Sequence, residues 1–100
     1  MGFNRHTRTG VIATQTVVTC PPATVITLIG TTVANTTGNP TTVSITAAGV
    51  HVLKNAQIES GSAIVPVGGE QKIVLLEGDT LTVTADFAVD VIVSTLEQAI

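Results

Sequence analysis

The sequence predicts an all-β domain: a single β-sandwich, jelly-roll or immunoglobulin-like in connectivity, of about eight short strands preceded by an N-terminal arm. Three observations carry this. Thr, Val and Ile number 18, 15 and 9, so 42 of 100 residues are β-branched. Such side chains are stiff at χ1 and fit a pleated surface better than a helix. Turn signals recur every 8–12 residues or so, which is the spacing of a sandwich or barrel. Several segments alternate strictly between apolar and polar residues, and no helical period is sustained anywhere.

Residues 1–9, MGFNRHTRT, have no period and few apolar residues, so they read as an arm, with the sandwich over residues 10–100. Strand-like sequence begins at Val11 and runs to Val18, where Cys20-Pro21-Pro22 stops it, because neither proline can donate to a ladder. Thr24–Ala34 is apolar on both parities in its first half, the mark of a central strand. Asn35–Pro40 is a turn. Asn35-Thr36-Thr37 also matches a glycosylation sequon, which carries little weight without a secretion signal. Thr42–Ala47 alternates with Val43, Ile45 and Ala47 inward. Ala48-Gly49 is a tight connection to a short strand at Val50–Leu53, and Glu59-Ser60-Gly61 turns again. Ala63–Val67 contains Pro66, which suggests an edge or a bulge. Gly68-Gly69 is a turn, Lys72–Leu76 a compact apolar strand, and Glu77-Gly78-Asp79 another turn. Thr80–Ala85 places Leu81, Val83 and Ala85 on one face. Asp86–Ala88 reads as the last turn, before a closing strand at Val89–Leu96.

One hundred residues make one domain, large enough to bury a core without disulfides or metal. The single cysteine, Cys20, cannot form an internal disulfide. No segment approaches the roughly 18 apolar residues of a membrane span, and the polar, basic start lacks the apolar region of a signal peptide. Charged residues are 11%, against about 25% in an average soluble domain, while mean hydropathy is +0.53. Either Thr wets most of the surface or neighbouring subunits cover part of it, and the second reading points to assembly. All seven acidic residues lie at or after Glu59, whereas the charges before it are Arg5, Arg8 and Lys54. Such asymmetry can mark an interaction arm.

No catalytic, metal or cofactor site is expected. Two histidines, His6 and His51, and one cysteine without close spacing fall short of the three or four ligands zinc needs. Cys20 beside two prolines reads as a small apolar residue at a strand end. Asp79, Asp86 and Asp90 could be imagined around calcium, but aspartate is also a turn former, and that is the preferred reading. Gly68-Gly69 is followed by neither Lys-Ser/Thr nor a helix, so it is not a phosphate loop. Four basic residues and two Phe give no nucleic-acid face. Carbohydrate binding lacks its usual Trp or Tyr platforms, which leaves a carbohydrate or cell-surface binding module as the alternative from another class.

The stretch from Ala34 to Glu97 resembles small β-sandwich structural and accessory proteins of tailed bacteriophage virions. The likeness lies in Val33-Ala34-Asn35, Leu53–Ile58 (LKNAQI) with Gly61-Ser62, Lys72–Ala85 (KIVLLEGDTLTVTA), and Asp90–Ser94 (DVIVS) with Leu96-Glu97. It covers about two-thirds of the chain. The resemblance implies a non-enzymatic virion protein made in the host cytoplasm. Capsid decoration (cement) is the first reading, and a neck, tail or fibre-attachment component the second. Its partners would be other virion subunits and its own copies, a homo-oligomer with a trimer as the leading expectation. The arm supplies the expected contact residues: Phe3 in an apolar pocket, Arg5 and Arg8 on a neighbour's carboxylates.

Overall fold

The computed structural model describes residues 2–67 and 72–99, which form strands β1 (Gly2–Thr19), β2 (Thr24–Asn35), β3 (Thr41–Ala47), β4 (Val50–Ile58), β5 (Ala63–Val67), β6 (Ile73–Leu75) and β7 (Thr80–Ala99). All pairings are antiparallel and belong to one curled sheet in the order β4-β3-β7-β2-β5, with β1 also on β7 and β6 on β2. The long strand β7 is the spine. Over Leu81–Ala85 it lies between β1 and β3, and over Val89–Glu97 between β1 and β2.

Strand alternation builds the core. Val43, Ile45 and Ala47 of β3, and Leu81, Val83, Ala85, Val89, Val91 and Val93 of β7, are buried as their parity requires. They join Val11, Val17, Val18, Ile26, Leu28, Val33, Ile58 and Leu75 in a single hydrophobic cluster. The central position expected for Thr24–Ala34 holds, since β2 has β7 on one side and β5 and β6 on the other. Strand β5, with Pro66, ends the order, and its ladder to β2 slips between Thr31 and Val33. Ala48 and Gly49 both take positive φ between Ala47 and Val50, the two-residue turn whose twist matches the strands it joins. The turn expected at Gly68-Gly69 lies outside the described residues.

Two expectations are corrected. Seven strands are described rather than eight, because β7 runs straight through the turn expected at Asp86–Ala88. Here the β7 ladder passes from β3 to β2, and Phe87 falls between the two. The buried hydroxyl of Thr41 substitutes for a strand, accepting the Phe87 N–H (2.9 Å) and donating to the Phe87 carbonyl (3.2 Å). With its backbone groups satisfied, the chain bends without turning. Opposite this point β1 bends as well. Its register with β7 shifts between Arg8 and Val11 and again between Val11 and Ala13, where Gly10 and Ala13 take left-handed φ. Bulges of this kind bend a strand and increase its twist, which curls the sheet.

The second correction concerns residues 2–9. They are not a segment without regular structure but the first half of β1, with Gly2–Arg8 paired to Glu97–Val91 in unbroken register. Backbone ladder bonds hold this half, so it needs no apolar period. It remains arm-like in one respect: no side chain from Gly2 to Gly10 is buried, and only His6 is partly covered.

Candidate functional site

Directly opposed residues on an antiparallel pair project to the same face. The register therefore sets Val74, Thr27, Leu96 and Phe3 in one row across β6, β2, β7 and β1, on the face turned away from the core. Ser94 and Arg5 share the next row, and Thr32, Ile92 and Thr7 the one beyond. Phe3 is 78% exposed, and Val74 and Ile92 are also well exposed. An open groove on this face is lined by Phe3, Asn4, Arg5, Ile29, Ser94 and Thr95. A second, more apolar cleft is lined by Thr7, Arg8, Thr9, Thr32, Ala34, Asp90, Val91 and Ile92.

The structure thus brings two of the expected contact residues, Phe3 and Arg5, to one groove and places Arg8 at the next cleft. The Arg5 guanidinium has no hydrogen-bond or ionic partner among the described residues. The Arg8 guanidinium donates to the Thr7 carbonyl (2.8 Å). Beyond β7, β1 has no ladder partner among the described residues, so its outer edge is unpaired along its length. A long unpaired edge is a template for another strand.

Sequence reasoning missed the polar clamp that seats this half-strand. The His6 ring Nε2 lies 2.8 Å from Glu97 Oε2, and the Thr95 hydroxyl donates to the same oxygen (2.9 Å). Burial acts to raise the Glu97 carboxyl, but hydrogen bonds from His6 and Thr95, the His6 charge and Asn4 together outweigh it and hold the carboxyl below its ordinary value. No local pattern links partners 91 residues apart.

A depressed carboxyl stabilises the fold above the ordinary carboxylate range and loses that contribution as pH falls through the lowered value. Wild type should therefore exceed Glu97→Gln in stability by about 0.5–1 kcal/mol near pH 6, the range of partly exposed ion pairs. Urea unfolding at a series of pH values should show the gap closing as pH falls below the ordinary carboxylate range, and a pH-independent gap would contradict the clamp.

The other candidates do structural work. Asp79 accepts the Leu76 N–H, Asp90 the Gly10 N–H and Asp86 the Thr42 hydroxyl. Among the described residues no three His, Cys, Asp or Glu side chains group as metal ligands. The Cys20 thiol is buried and donates to the Thr24 carbonyl (3.2 Å). Burial pushes its pKa up, a backbone hydrogen bond at Ile26 opposes this, and the carboxylates of Asp79, Glu97 and Glu77 add to the rise. Such a thiol is a poor nucleophile. His51 stands exposed on β4. The sequon asparagine, Asn35, is 1% exposed, and its amide is committed to the carbonyls of Asn39 and Ile58, so it offers nothing to a glycosylating enzyme. Compared with protein-family models, curated proteins and solved structures, the chain has no significant match.

Proposed function

We propose that this protein is a non-enzymatic virion structural protein of the capsid decoration (cement) type, binding neighbouring virion subunits through the first half of β1. One observation supports this above the others: Phe3 and Arg5 lie together on an exposed strand, and among the described residues neither the Arg5 side chain nor the strand's outer edge has a partner. In a chain this poor in charge, that surface suits packing against protein rather than chemistry on a small molecule. The finer fold reading is a sandwich. It is supported by the core, where Ile45 and Val83 from the β3 half join Leu28, Val33 and Val93 from the β2 half in one cluster.

Deleting residues 2–9 and measuring retention on purified particles tests the function. The expected result is loss of most bound protein, and undiminished retention would overturn the proposal. The position of the bound copies in intact particles separates capsid decoration from a neck or tail role.

A further inference from the structure

We propose that residues 2–8 of β1 exchange between copies of this chain, the half-strand of one copy pairing with β7 of a neighbour. The inference deepens the structural-subunit reading and rests on it.

The partner is identified by fit. Gly2–Arg8 and Val91–Glu97 already form seven consecutive register pairs, with the His6–Glu97 clamp closing beside them. A second copy offers the same β7 edge, the same carboxylate and the same Thr95 hydroxyl. Exchange therefore recreates every contact and changes only the hinge, the condition under which swapped oligomers form readily. The half-strand is free to leave, because none of its side chains belongs to the core.

The hinge is recognisable as well. Directly after Arg8 the ladder slips twice, Gly10 has φ +63°, and Ala13 has φ 60°. The left-handed region is unfavourable for alanine, so the closed form holds strain that an extended hinge would release. Gly10 alone adopts its conformation without penalty, and its N–H is fixed by the Asp90 carboxylate (2.9 Å). Reciprocal exchange gives a two-fold dimer, and cyclic exchange gives a ring such as a trimer.

The register supplies the test. Arg5 and Ser94 are paired and exposed, within the usual Cα reach of a disulfide. Two variants of the full chain, Arg5→Cys and Ser94→Cys, each also carrying Cys20→Ala, are unfolded, mixed, refolded at high concentration and oxidised. Exchange predicts a covalent Arg5→Cys/Ser94→Cys heterodimer on a non-reducing gel as the main product of the oligomeric fraction. It also predicts that Gly10→Val, which disfavours the closed hinge, raises the oligomeric fraction several-fold at a fixed concentration, and that Ala13→Gly lowers it. Absence of the heterodimer would overturn the exchange, and so would a chain that stays monomeric up to millimolar concentration. A double variant whose oligomers contain only intrachain bonds would overturn the exchange yet leave the structural-subunit reading standing, since particle retention tests that reading separately.

Discussion

Asn35→Ala is expected to lower the unfolding free energy by about 2–4 kcal/mol, although the removed side chain is small and polar. The side chain joins three separate pieces of chain. Its Nδ2 donates to the Asn39 carbonyl (2.7 Å) and the Ile58 carbonyl (3.0 Å), and its Oδ1 accepts from the Thr37 N–H (3.0 Å) and hydroxyl (2.7 Å). Its own backbone binds the neighbouring turn, accepting from the Gly61 N–H and donating to the Ser62 carbonyl. Alanine keeps these backbone bonds but takes the amide donor from the Ile58 carbonyl at a buried junction, where a lost partner costs about 1–3 kcal/mol. The loop of residues 36–40 loses its internal template as well. Urea unfolding of the two proteins measures the effect, and a loss below about 1 kcal/mol would mean that water replaces the amide at this junction.

Leu81→Ala should be at least as severe, at about 2–5 kcal/mol. Leu81 is fully buried where β7 is flanked on both sides, opposite Val18 of β1 and Ala47 of β3. Truncation removes transfer free energy and leaves a cavity that three paired backbones cannot collapse to fill. Small domains hold only about 5–15 kcal/mol in total, so this one change should consume much of the stability. Phe3→Ala is the control. It deletes one of the two aromatic side chains in the protein, yet that ring is largely in solvent, and stability should move by no more than about 0.5 kcal/mol. Equal losses for the two variants would show that the half-strand is bound into the fold more tightly than its burial implies.

Where apolar and polar residues alternate, the strands were legible in the sequence. Thr42–Ala47 and Thr80–Ala85 show their buried parity directly, and the Ala48-Gly49 connection shows its turn. The fusion of the last two expected strands was not legible. Asp86-Phe87-Ala88 has the look of a turn, and what prevents one is a threonine hydroxyl 46 residues earlier in the chain. The strand character of residues 2–9 was hidden for a different reason. Its side chains lie in solvent on both faces, so pairing leaves no hydrophobic period to read. The contact residues were only half visible. Composition pointed to Phe3, Arg5 and Arg8, but their grouping with Ile29, Ser94 and Ile92 depends on register that no local pattern encodes.

The position of the spine strand also has a consequence for synthesis. Every other described strand except β4, β5 and β6 pairs directly with β7, and β7 follows all of them in the chain. Gly2 finds its partner at Glu97, so the first half of β1 is made long before the strand it pairs with. Until β7 has been made, no spine exists on which to assemble the sheet. The sheet therefore assembles only once β7 is present, through contacts of long sequence separation that close slowly. Loss of β7 would remove the common partner of β1, β2 and β3 at once.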